Sequence, residues 1–128
     1  MIPKFRLYDP SDQKIREVAE IDWSLGIVGT CGGAIEHELD KVVLMQSTGL
    51  KDKNGVEIFE GDIVAVENHP FQRKEDSSAG MEIEGDYVVG WNQYDLTWCA
   101  GDLLLARLKP YVRVIGNIYE NSELLEVE

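Results

Sequence analysis

The feature that most constrains this fold is the succession of short apolar runs separated by clusters of Gly, Asn, Asp and Pro. Such runs, four to eight residues long and bounded by turn-forming residues, are typical of strands in compact hairpins. No run approaches the roughly 20 apolar residues of a membrane-spanning helix. A chain of 128 residues can bury roughly two-thirds of its unfolded surface, so we expect it to fold without disulfides or a metal.

The first third of the chain predicts strands separated by tight turns. Residues 4–8 alternate apolar and polar side chains before the turn at residues 9–12. Residues 14–22 leave helix and strand open, because Ile15, Val18 and Ile21 have helical spacing but no convincing cap precedes them. Strand is favoured by the β-rich neighbours. The glycines of residues 26–33 predict tight turning before the strand at 42–45.

Two tight turns organise the rest of the chain. Residues 52–55 (Asp-Lys-Asn-Gly) predict a hairpin, since Asn and Gly tolerate the positive φ that such turns require. Residues 60–62 predict a second turn, and residues 68–80 an exposed loop. Further strands are expected around residues 56–58, 63–66, 87–91, 96–100, 103–108 and 111–115.

These elements predict a mainly β fold with a minor α component. We expect antiparallel strands forming a partly open, SH3-like barrel, with an N-terminal β extension. A short C-terminal helix would begin with Asn121 as its N-cap. The chain is predicted to be one domain, residues 1–128, within which subdomains 1–48 and 49–128 can be distinguished.

Charge and cysteine content narrow the partners and the compartment. The 24 acidic and 12 basic residues give a net charge of −12, which disfavours direct binding to nucleic acid or anionic lipid. The favoured interpretation is that this charge only keeps the protein soluble, and if it serves binding, a basic protein is the expected partner. Cys31 and Cys99 are too few for a disulfide framework. The first nine residues lack the apolar run of a signal peptide. A cytoplasmic protein that contacts neither membrane nor nucleic acid is therefore expected.

Three motifs carry a resemblance to a known family. They are Lys4-Phe5-Arg6 with Asp9; residues 45–46, 48–55 and 58–64; and residues 115–121 (Ile-Gly-Asn-Ile-Tyr-Glu-Asn). In order and spacing they resemble the YopX family of phage and prophage proteins. The resemblance implies a small protein acting inside a bacterial host, with a mainly β fold and a tendency to self-associate. It implies no particular activity.

Oxygen and sulfur ligands for a metal are present but poorly spaced. Carboxylates and amides concentrate in residues 52–62, yet Gly55 follows Asp52 by three positions, which does not match an EF-hand loop. The other candidate ligands, Cys31, His37, His69 and Cys99, lack the close pairs of a zinc site. The same dispersion weakens Cys31 and His37 as nucleophile and base. We therefore predict no metal, no cofactor and no catalytic residue.

The remaining candidates are binding residues. The cluster of Trp91, Tyr94 and Trp98 could form an aromatic platform for a ligand, although packing between adjacent strands is the favoured explanation. The other candidates are polar residues in the middle and last motifs: Asp52, Asn54, Glu60, Asp62 and Asn117.

Three functions follow as hypotheses. The first is a non-enzymatic binding or assembly protein that modulates a host or phage process. The second is an acidic nucleic-acid mimic that occupies a host DNA-binding protein. The third, least favoured, is a metal-assisted hydrolase. The mimic would use the carboxylates of Glu57, Glu60, Asp62, Glu67, Glu82, Glu84 and Asp86.

Overall fold

The computed structural model describes residues 4–68 and 83–125. The chain divides into two compact units, unit 1 (Met1–Ser47) and unit 2 (Thr48–Glu128). Both are built from antiparallel strands, and the described residues contain one short α-helix and several 3₁₀ turns. The predicted mainly β class is confirmed. His69, Glu82 and most of the expected loop at 68–80 lie outside the described residues.

Unit 1 is a meander of antiparallel strands. Its strand order is β4-β3-β2-β1-β5, and 3₁₀ turns at Cys31–Gly33 and Leu39–Lys41 follow β3 and β4. Residues 35–38, which the sequence does not identify as a strand, pair with β3. The strands are β1 (Phe5–Asp9), β2 (Lys14–Asp22), β3 (Ile27–Thr30), β4 (Ile35–Glu38) and β5 (Val43–Lys51).

The ambiguous segment 14–22 is a strand, as favoured above, and a bulge explains its helical spacing. Residue Val18 pairs with Thr30 and Ile21 pairs with Val28, with the register shifting between Val18 and Glu20. An extra residue in a strand reverses the alternation of faces beyond it. Val18 and Ile21, three positions apart, therefore reach the same face of the sheet.

Unit 2 begins within β5, whose end pairs with β6. The remaining strands of unit 2 form a second sheet in the order β10-β9-β8-β7-β11. Across the described residues the strands do not close into a barrel, consistent with the partly open arrangement expected. The strands are β6 (Glu57–Phe59), β7 (Asp62–Val66), β8 (Gly85–Asn92), β9 (Thr97–Ala100), β10 (Leu103–Leu104) and β11 (Val112–Asn117).

The two predicted turns are present and are tied to the second sheet. In the first, Gly55 has a φ of 82° and donates to the Asp52 carbonyl. In the second, Gly61 has a φ of 85°. Its N–H donates to Val89 of β8, and its carbonyl accepts from Ile118 just beyond β11. Each turn is therefore fixed by the strands around it as well as by its own residues.

The expected strand at 103–108 is wrong. Only Leu103–Leu104 is a strand, and the α-helix α1 (Leu105–Leu108) follows it directly. Leu105 and Leu108 are both buried in the core of unit 2. Residues three apart share a face of a helix, so the helical turn brings both leucines to the same core. Pro110 then lies in a 3₁₀ turn, Lys109–Tyr111, that ends the helical segment.

The C-terminal helix is present as a 3₁₀ turn, Ser122–Leu125, with Asn121 directly before it. Its Oδ1 accepts a hydrogen bond from the Asn117 N–H at 3.2 Å, and its carbonyl accepts from Leu124. The side chain packs against Gly116, where an added Cβ would lie 2.5 Å from Asn121 Oδ1. Asn121 thus occupies the N-cap position, where its carbonyl accepts within the turn, while its side chain fastens the turn to β11. None of the helical segments in the described ranges could cross a membrane.

Candidate functional site

The aromatic hairpin of unit 2, residues 85–100, is the clearest candidate site. Trp91 and Trp98 are directly opposite each other on β8 and β9. Their rings meet edge to face, with centroids 5.2 Å apart and planes at 75°, a geometry that aromatic quadrupoles favour. Trp98 packs against the core of unit 2, whereas Trp91 is 50% exposed. Packing in the core therefore explains Trp98 but not Trp91, which extends the apolar surface outward from the core.

The turn of the aromatic hairpin exposes further apolar surface. Asn92 Oδ1 accepts hydrogen bonds from the N–H groups of Tyr94 (2.9 Å) and Asp95 (3.1 Å), which fixes the turn. Tyr94 is 88% exposed and Leu96 72% exposed. Leu96 also has a φ of 52°, a left-handed conformation that costs a non-glycine residue about 1–2 kcal/mol. An exposed leucine in this conformation contributes little to the stability of the fold.

A shallow pocket of about 400 Å³ lies beside Tyr94. Gly90, Gly101 and Trp91 are among the residues that line it. A Cβ added at Gly90 would meet nothing within 4 Å, so the missing side chain leaves open space. The pocket therefore leaves open space next to an exposed aromatic ring.

Asp52 is placed in a turn, with its carboxylate occupied by backbone donors. Oδ1 accepts hydrogen bonds from Asn54 and Val56, and Oδ2 accepts one from Val114 of β11, all at 2.9 Å. Burial raises the pKa of this carboxyl, but these three hydrogen bonds outweigh it and hold the pKa below its ordinary value of 3.8. Asn54 is exposed at the same turn. The structure thus gives Asp52 a turn-fixing role.

Asp62 and Asn117 are brought together as directly opposed residues of β7 and β11. The buried Asp62 Oδ2 accepts from the Phe59 N–H at 2.8 Å, closing the turn that contains Glu60. Asn117 Oδ1 accepts from the N–H groups of Tyr119 and Glu120. The polar motif residues therefore fix two turns, and the aromatic candidates belong to a different hairpin.

The acidic residues of unit 2 are not a uniform exposed array. Besides the buried Asp62, Glu67 pairs with Arg113 at 2.7 Å and with Lys53 at 3.5 Å. The Arg113 hydrogen bond and charge lower the pKa of Glu67. Within residues 4–68 and 83–125, no group of three His, Cys, Asp or Glu side chains could hold a metal ion.

Unit 1 contains a polar chain that the sequence did not reveal. His37 Nδ1 lies 3.5 Å from Asp9 Oδ2, and His37 Nε2 lies 3.0 Å from Thr30 Oγ1. Hydrogen bonds from Ser11 lower the pKa of Asp9. The order carboxylate, imidazole, hydroxyl resembles a catalytic triad, but Thr30 is fully buried and no substrate could reach its hydroxyl. These three side chains connect strands β1, β3 and β4. The contacts could not be predicted from the sequence, because the three residues are widely separated along it.

The protein is an antiparallel β protein of two units, and the second unit contains the aromatic hairpin. Residues 4–126 match the family described as YopX protein, and the chain belongs to that family. It is also similar to the crystal structure of protein EF1440 from Enterococcus faecalis, at 29% identity and a TM-score of 0.67. The match covers 98% of this chain and 99% of that one. The chain matches no curated protein.

Proposed function

We propose that this protein is a non-enzymatic binding protein whose aromatic hairpin contacts a basic protein of the bacterial host or of a phage. The observation that carries the proposal is the exposure of Tyr94 and the strained Leu96 beside the half-exposed Trp91. Large apolar side chains grouped at a surface are typical of protein interfaces, where aromatic residues supply most of the binding energy.

Charge supports a basic partner. The chain carries a net charge of −12, and Asp95 lies exposed within the hairpin turn. Acidic charge around an apolar centre accelerates association with a basic protein and repels acidic ones. Repulsion between copies makes a second copy of the chain the weaker alternative. The proposed place of action is the cytoplasm of the bacterial host.

Site-specific photocrosslinking tests the proposal directly. A photoreactive phenylalanine at position 94, irradiated in cells that encode the protein, should give a discrete adduct with a basic protein. The matched control is the same residue at Arg107, which is exposed on α1 and should give several-fold less adduct. Because the encounter is partly electrostatic, the adduct formed in lysate should decrease as salt rises to about 0.5 M. Equal adducts at both positions, or none, would refute the proposal, and an adduct of twice the chain mass would identify self-assembly instead.

Replacing Leu96 with glycine should separate stability from binding. Glycine adopts positive φ without strain, so Leu96→Gly should raise the free energy of unfolding by about 0.5–1 kcal/mol. The same change removes apolar surface and should weaken formation of the adduct. The control is Gln93→Gly in the same turn, where φ is not positive and glycine should destabilise. Urea denaturation measures the stability of both variants. A Leu96→Gly protein with lower stability or with undiminished adduct would contradict the expectation.

A further inference from the structure

The tip of a second hairpin, β2–β3 in unit 1, repeats the construction of the aromatic hairpin. Asp22 Oδ1 accepts hydrogen bonds from Ser24 Oγ (2.7 Å) and the Leu25 N–H (3.0 Å). Gly26, with a φ of 67°, occupies the left-handed position that Leu96 holds in unit 2. Trp23 is 65% exposed and Leu25 70% exposed. Each unit therefore presents large apolar side chains on a turn fixed by an Asp or Asn side chain.

The sheet face beside this tip is acidic. Paired residues of neighbouring strands share a face, so the register places Glu20, Gly29 and Glu36 in one row across three strands. The next row along the same face contains Asp22, Ile27 and Glu38. All four carboxylate-bearing residues are exposed. Among the described residues, no ion pair involves Glu20, Glu36 or Glu38.

A concave pocket of about 480 Å³ occupies this face. Trp23 and the carboxylates of Glu20, Asp22 and Glu36 line it, and its lining includes neither Lys nor Arg. The missing side chain at Gly29 leaves room for Glu20, whose Cγ would lie 2.9 Å from a Cβ added there. The surface thus combines an exposed indole, unpaired carboxylates and a depression.

We infer that this face of unit 1, the Trp23 face, docks an arginine-bearing extended segment of a basic partner protein. An arginine side chain can stack on the exposed Trp23 ring while its N–H groups donate to Glu20 or Glu36, combining a cation–π contact with charge-assisted hydrogen bonds. Carboxylates close together on one face repel each other, and a bound cation relieves that repulsion. A second copy of this chain, with net charge −12, does not supply the required excess of positive charge.

This inference goes beyond the proposed function, because it concerns another unit and residues that the aromatic hairpin does not contain. The negative charge of the Trp23 face also favours one kind of ligand, a basic segment. The Trp23 face is expected to bind a short basic peptide in isolation, whereas the aromatic hairpin is expected to need a folded partner with an apolar side chain.

Fluorescence anisotropy of a labelled octapeptide of alternating arginine and serine tests the inference at low salt. The double variant Glu20→Gln with Glu36→Gln should weaken binding about tenfold, as expected for losing one or two charge-assisted hydrogen bonds. The matched control, Asp86→Asn with Glu123→Gln in unit 2, removes the same charge from exposed positions and should change binding less than about twofold. Trp23→Ala should also weaken binding, while Tyr94→Ala should not.

Equal weakening by the two double variants would mean diffuse attraction and would overturn the inference. So would unchanged binding in Glu20→Gln with Glu36→Gln, or equal binding of a glutamine-serine octapeptide. If Trp23→Ala fails to fold, the surface double variant still decides the matter. Because the peptide assay depends on neither a crosslink at position 94 nor a cellular partner, a failed crosslink at Tyr94 leaves this result intact, and the converse also holds.

Discussion

Replacing Asp52 with alanine should lower the free energy of unfolding by about 2–4 kcal/mol, since three backbone N–H groups lose a charged acceptor. The residue is 7% exposed, so water cannot easily replace the carboxylate. One of the three donors, Val114, belongs to β11, and the other two belong to the turn itself. The change therefore releases the turn and one strand of the second sheet together. Urea denaturation followed by circular dichroism measures it.

The pH dependence of the Asp52→Ala protein provides a control. Since the pKa of Asp52 is lower in the folded protein than its ordinary value of 3.8, the carboxylate stabilises the fold fully above about pH 4. This stabilisation is lost as pH falls through the folded pKa. The difference in unfolding free energy between the wild-type protein and Asp52→Ala should therefore narrow below about pH 4. A difference that stays constant or widens at low pH would contradict the role assigned to the hydrogen bonds.

Replacing Leu105 with alanine should lower the free energy of unfolding by about 2–5 kcal/mol, the range for emptying a fully buried leucine site. Leu105 is completely buried in the core of unit 2 and begins α1. Alanine has the highest helix propensity, so the loss would reflect the cavity and not a weakened helix. Thermal unfolding and urea denaturation measure the change.

The matched control for Leu105 is Arg107→Ala on the same helix. Arg107 is exposed, and its replacement should change stability by less than about 0.5 kcal/mol. A small effect of Leu105→Ala, comparable to that of Arg107→Ala, would contradict the core position of Leu105.

The motif residues and the exposed hairpins have different physical roles. Asp52, Asp62 and Asn117 use side-chain oxygens to accept backbone N–H groups, which fixes the turns where the family motifs lie. The hairpin tips instead hold exposed Trp23 and Tyr94, which contribute little to the core. Asp52, Asp62 and Asn117 thus stabilise unit 2, which carries the Tyr94 tip, and the contacts proposed above would be made by the tips.

The amino-acid pattern alone was sufficient for the class of fold, the two tight turns and the family. Asn54-Gly55 and Gly61 determine turns locally, because positive φ is a property of the residue and its neighbours. The aromatic cluster was also visible, since Trp91, Tyr94 and Trp98 lie within eight positions. The sequence could not separate Trp98, which packs on the core, from the exposed Trp91 and Tyr94.

Tertiary structure decided the features that depend on distant residues. Residues 14–22 have the spacing of a helix, but they form strand β2 because they pair with β3 and contain a bulge. Residues 105–108 were expected to be a strand, but they form a helix in which Leu105 and Leu108 are both buried. The contact of His37 with Asp9 and Thr30, and the acidic Trp23 face, arise only when separate strands align. Local residue preferences amount to a fraction of a kcal/mol each, whereas burial and strand pairing contribute several, so the long-range contacts prevail.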